Sequence, residues 1–161
     1  IRKFIQHMQM PKNAIRTKSF ESLQASMKDE LLVAKVESFI SIAKLVQTFL
    51  VKYQQEAPLL PFMAHDLLLM IQSLMQRFVT IQALSYCKSA AGLLSFDFSE
   101  TKNLNAPQNV DIGFKAKKAL SDIAKNVSVK DILQFRIECR EFLRAVLQKL
   151  LEKSPIKCKL V

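Results

Sequence analysis

Apolar side chains recur every three or four residues over most of this chain, the period of α-helices that bury one face. The strongest run starts near Asp29, a good N-cap residue, and continues to about Gln55. Its predicted buried stripe is Leu32, Val36, Phe39, Ala43, Val46, Leu50 and Tyr53, with Glu37, Ser41, Lys44, Thr48 and Lys52 on the wet face. A second run, Phe62 to about Val79, follows Pro58 and Pro61 and is apolar nearly all round through Leu67, Leu68, Leu69, Met70, Ile71, Leu74 and Met75. Such a helix belongs at the centre of a bundle, and the short proline-marked connection makes it an antiparallel neighbour of the first. The last run, Val129 to about Lys153, steps through Ile132, Phe135, Cys139, Phe142, Val146 and Leu150 before Pro155 stops it. Ser128 and Asp131, three apart, form a relative of the capping box at its start.

Shorter helices are predicted from Ser19 to Met27, from a Thr80 cap through Tyr86, and from Phe114 to Ala124. Between them, Ser95 to Val110 loses the period and collects Asn103, Asn105, Pro107 and Asn109, which reads as a surface loop. The expected fold is therefore all-α, a multi-helix bundle of about five to six helices, two of them long. It occupies residues 19–161, after a basic arm or linker over 1–18 that carries Arg2, Lys3, Lys12, Arg16 and Lys18 and no acid.

Composition sharpens this reading. Half of the 161 residues are hydrophobic, and only two are glycine, so a core is affordable and tight β-hairpins are not. The formal net charge of +10 fits an anionic partner such as DNA, and fits equally a surface that is merely soluble. Cys87, Cys139 and Cys158 are an odd number at wide spacing, the usage of a reducing compartment. The chain opens on Ile1 and stops soon after Pro155, so it is expected to be an interior piece of a larger intracellular protein. Arg2 and Lys3 lead into a mixed stretch and not into a signal-peptide core. The most apolar run, Leu59 to Val79, is broken by His65, Asp66, Gln72, Ser73, Gln76 and Arg77, which makes it a buried helix and not a membrane span.

Little of the chemistry-bearing inventory converges. His65 and Asp66 are adjacent and point apart on a helix, and neither His65 nor His7 has a cysteine or carboxylate at i+3 or i+4. Cys139 lies on an apolar stripe and reads as a structural thiol. Asp97, Glu100 and Asp111 fall in or beside the loop, and Gly92 and Gly113 stand alone with no phosphate-binding pattern. No enzyme, cofactor, metal, membrane or small-molecule substrate is expected. The most suggestive pattern is basic: Arg136, Arg140 and Arg144 recur every four residues, with Lys117 and Lys118 among the lysines of the preceding helix. Such a ridge can follow phosphates along a groove, or can pair with Glu138, Glu141 and other acids.

The order of phrases adds a family resemblance. The stretches Phe49 to Gln54, Ala57 to Phe62, Met75 to Val79, Val110 to Leu120, Phe135 to Leu143 and Leu150 to Pro155 together resemble hAT-type DNA transposases and their domesticated relatives, over roughly residues 20 to 161. That resemblance implies a nuclear protein in which a BED-type zinc finger precedes an RNase H-like core interrupted by a large helical region. This chain resembles part of the helical region. No acid in it matches the catalytic triad, and the Cys-x-x-His signature and the tryptophan of the insertion are absent. The implied role is a non-catalytic helical module that supports DNA binding or self-association as a homo-oligomer. The alternative is a protein-interaction scaffold with no nucleic-acid role.

Overall fold

The computed structural model describes residues 18–55, 60–154 and 156, which form seven α-helices and no strand. These are α1 (Lys18–Ser26), α2 (Leu32–Tyr53), α3 (Leu60–Met75), α4 (Ile81–Tyr86), α5 (Ala90–Leu94), α6 (Phe114–Ile123) and α7 (Val129–Lys153). Two single 3-10 turns, Thr101–Asn103 and Pro107–Asn109, lie between α5 and α6. The all-α bundle with two long helices is as the periodicity predicts. The seventh helix, α5, is an addition, because five residues are too few to display a period. The predicted arm over 1–18, Lys18 apart, and the prolines Pro58 and Pro155 fall outside the described residues.

Local chemistry sets the helix starts. Thr80 caps α4 by accepting from the Ala83 N–H, and Ser89 caps α5 by accepting from the Gly92 N–H. Ser128 caps α7, its Oγ accepting from the Asp131 N–H at 3.1 Å. The Asp131 carboxylate accepts from the Ser128 hydroxyl at 2.7 Å and does not reach back to the cap amide as a full capping box would. Asp29 stands three residues before α2, where its Oδ1 accepts from the Leu31 N–H at 2.9 Å.

Helix α3 and its extension are the centre of the core: Ile71, Leu74, Met75 and Phe78 are fully buried. Helix α2 packs on α3 and α6, and α7 packs on α3. The α2–α3 pair is tied at the end where α2 finishes and α3 begins, where Asp66 accepts from Lys52 and, at 2.6 Å, from the Tyr53 hydroxyl.

The inward face of α2 differs from the predicted one. Leu31, Ala34, Ser38 and Ile42 are buried, with Leu45 and Phe49 partly so, while Phe39 is 57% exposed and Leu50 is exposed. The helix carries apolar residues on two adjoining stripes, and the one with the small residues faces inward because neighbours approach closely there. Ser38 Oγ lies 3.5 Å from Cys139 Sγ on α7, and Gly113, ahead of α6, crosses over Ser41. In α7 the buried positions are Phe135, Cys139, Leu143, Leu147 and Leu151, so the expected stripe holds at its start and slips by one residue beyond Cys139.

The segment expected as a surface loop is in fact packed. Phe98, Leu104, Val110 and Ile112 are buried. Its backbone is paired to the end of α3: the Asn105 N–H donates to the Phe78 carbonyl, the Thr80 N–H to that of Asn103, and the Asp111 N–H to that of Arg77, all within 2.9 Å. An irregular backbone can be buried only when its polar groups are satisfied in this way. The strap thereby extends the core.

Candidate interaction surfaces

The arginine ridge on α7 is brought against this strap. Arg136 Nη1 donates to the carbonyls of Gln108 at 3.0 Å and Val110 at 3.2 Å. Arg140 Nη1 donates to the Asn105 carbonyl at 3.4 Å, and its Nε lies 3.6 Å from Glu141 Oε1, an ion-pair distance beyond hydrogen-bond reach. Arg144 pairs with Glu141 at 2.6 Å. One turn of spacing thus places three guanidiniums on one face, and two of them serve as clamps on backbone oxygens. Of the candidate lysines, Lys117 pairs with Asp111 at 2.6 Å, whereas Lys118 is exposed and has no partner among the described residues. Lys115, Lys125 and Lys130 are likewise exposed and unpaired among them.

Beside the strap, Arg77 Nη2 donates to Ser41 Oγ at 2.8 Å, joining the end of α3 to the middle of α2. Its other terminal nitrogen, Nη1, is buried without a hydrogen-bond partner among the described residues. Asp111 sits close by. Partial burial works to raise its pKa, but the bonds from Lys117 and the Gly113 N–H outweigh it and hold the carboxyl below the usual range. Asp97 and Glu100 remain exposed, each engaged locally, Asp97 by the Ser99 N–H and Glu100 by Asn103. No group of three or more His, Cys, Asp or Glu is placed to hold a metal among the described residues. Burial pushes the thiols of Cys87 and Cys139 up, which makes both poor nucleophiles.

A groove that sequence reading missed lies between α2 and α7. Buried Ser38, Phe135 and Cys139 form its floor, and Phe39 and Phe142, 5.9 Å apart between ring centres, stand at its edge. It encloses about 160 Å³. A second hollow of about 250 Å³ continues from it past Lys35 and Glu138 to Leu31, Asp29 and Asp131. Its only signal in the sequence is the pair of phenylalanines, which pattern reading had assigned to the core. Elsewhere large apolar side chains stand in the open: Ile81 is 88% exposed, Phe114 81% and Val129 84%.

No family model, curated protein or solved structure matches the chain. None of the described helices is long and apolar enough to cross a membrane. The surfaces themselves are therefore the basis for a functional reading.

Proposed function

We propose that this chain is a non-catalytic helical module of a hAT transposase-like nuclear protein, and that it acts by self-association through its helical surfaces. The observation that carries the association is the set of large apolar side chains left in the open on well-formed helices, Ile81 and Tyr86 on α4, Phe114 on α6 and Val129 on α7. Each of the four is at least 79% exposed, so a second copy covering them would remove that apolar surface from water. The phrase resemblance supports the family assignment. Sedimentation equilibrium over a range of concentrations tests the reading: a reversible dimer or higher species is expected, and replacing Ile81 and Tyr86, or Phe114 and Val129, by serine should weaken it. A strictly monomeric parent at high concentration would refute it.

DNA binding is the second reading, favoured by one observation. Lys115, Lys118, Lys125 and Lys130 are exposed and unpaired among the described residues, on α6, the turn that follows it and the first turn of α7. If these lysines contact phosphates, their replacement by glutamine lowers affinity for labelled duplex uniformly across sequences and flattens its salt dependence. An unchanged salt slope in the folded variant would rule them out.

A further inference from the structure

The groove between α2 and α7 has the size and lining of a seat for one aromatic ring. Phe39, Phe135 and Phe142 line it, the floor atoms Ser38 Oγ and Cys139 Sγ are turned to each other at 3.5 Å, and it encloses about 160 Å³. Apolar hollows of about 150 Å³ stay dry and admit a ring the size of benzene. The charge at the edge of this one is negative, although the chain as a whole carries a net charge of +10. Lys35 and Asp29, paired at 2.7 Å, cancel each other. Glu138 is exposed, and the hydrogen bond it accepts at 3.3 Å comes from the neutral Gln134 amide, which leaves its charge in place.

Apart from the rings of the groove itself, the exposed aromatic residues among the described ones are Phe62, Tyr86 and Phe114. Their surroundings separate them, because a residue four places on shares the same helix face. Phe62 has the acid Asp66 at that position, the wrong sign for Glu138. Tyr86 is the last residue of α4 and would carry a hydroxyl into a floor whose polar atoms already face each other. Phe114 has Lys118 there and Lys115 beside it, both exposed and unpaired among the described residues. A ring flanked by bases thus matches a ring-sized hollow flanked by a carboxylate. Phe114 does not line its own groove, and Gly113 sets the start of α6 against Ser41, so the ring must come from another copy.

We infer that Phe114 of one copy seats against Phe39 and Phe142 of a second, with Lys118 brought to Glu138. This deepens the self-association reading and rests on it: it names the inserted ring, the hollow that receives it and the charge pair that sets the register. The patch is small, so the contact belongs to the weak, reversible class.

Two variants of the full chain each keep one half of the contact. Phe114→Ser loses the ring and keeps the seat; Phe39→Asp spoils the seat and keeps the ring. In sedimentation equilibrium each alone should raise the dissociation constant about tenfold or more, with far-UV dichroism unchanged. An equimolar mixture of the two should recover a one-to-one heterodimer, since one chain supplies the ring and the other the seat. Glu138→Lys is a surface change that serves if Phe39→Asp perturbs folding. It should weaken association about twofold to fivefold, less so as salt rises, and adding Lys118→Glu to the same chain should reverse the loss. A mixture that gains nothing over the separate variants would overturn the inference, as would a loss from Glu138→Lys that Lys118→Glu does not reverse. Association of the parent that ignores every one of these changes sinks this seat while self-association stands. A parent that stays monomeric refutes self-association itself, so the two failures are told apart by the parent's mass.

Discussion

Gly113→Ala is the sharpest probe of how the strap joins the bundle. Gly113 holds φ 89° and ψ 151°, a combination essentially reserved for glycine. Forcing an L-residue into it costs about 1–3 kcal/mol. The added Cβ would also lie 2.5 Å from Ser41 Oγ and 2.9 Å from Ser41 Cβ. Ser41 cannot retreat freely, because its Oγ accepts from Arg77 at 2.8 Å, and losing a bond to a charged donor costs about 1.5–3 kcal/mol. Reduced entropy of the unfolded chain returns about 0.4–1 kcal/mol. The net loss is about 3–4 kcal/mol, equivalent to a fall in melting temperature on the order of 6–15 °C. Urea unfolding followed by far-UV dichroism measures it. Ser41→Gly removes both crowded atoms, so on that background Gly113→Ala should cost only its backbone share, giving a coupling of about 1 kcal/mol or more. A total loss under about 1 kcal/mol, or strict additivity, would refute the reasoning.

The remaining predictions concern the core, the clamp and acid. Ile42→Ala should cost about 2–5 kcal/mol by opening a cavity, whereas Phe39→Asp should unfold cooperatively within about 1 kcal/mol of the parent, as denaturant melts would show. Arg136→Gln should lose about 1–3 kcal/mol and speed hydrogen exchange of the strap amides at Asn105 and Asp111, because it frees two backbone carbonyls. Asp29 is held below the usual carboxylate range by its bond from Lys35, and Asp66 by those from Lys52 and then Tyr53; with Asp111 they form a set of depressed carboxyls. The stability they add is complete above the ordinary carboxylate pKa of about 4 and is lost as pH falls through their lower folded values. Melting temperature should hold down to about pH 5 and then drop, and Asp111→Asn should make that drop shallower.

The helices were legible because burying one face imposes a period, and the caps at Thr80 and Ser128 because their side chains act within three residues. The phase of α2 was not. Both Leu31-Ala34-Ser38-Ile42 and Leu32-Val36-Phe39-Ala43 are helical stripes rich in apolar residues, and the choice depends on the closeness of neighbours distant in sequence. The strap was legible as irregular but not as buried, since its partners Arg136 and Arg140 stand 26 to 35 residues further along. The ridge spacing placed those arginines on one face of α7 and contained no information about what that face meets. The groove was hidden for the same reason, because Phe39 and Phe142 become neighbours only in three dimensions.

Because α7 grips the strap through carbonyl oxygens at Asn105, Gln108 and Val110, the grip does not read which side chains those residues carry. Substitutions at exposed Gln108 and Asn109 can therefore accumulate freely across related sequences, while a one-residue insertion or deletion between Asn105 and Val110 would shift every gripped oxygen out of reach. The segment would look variable in letters and fixed in length. A reader aligning relatives by residue identity would take it for a dispensable loop; the spacing from Leu104 to Gly113 is the quantity under constraint.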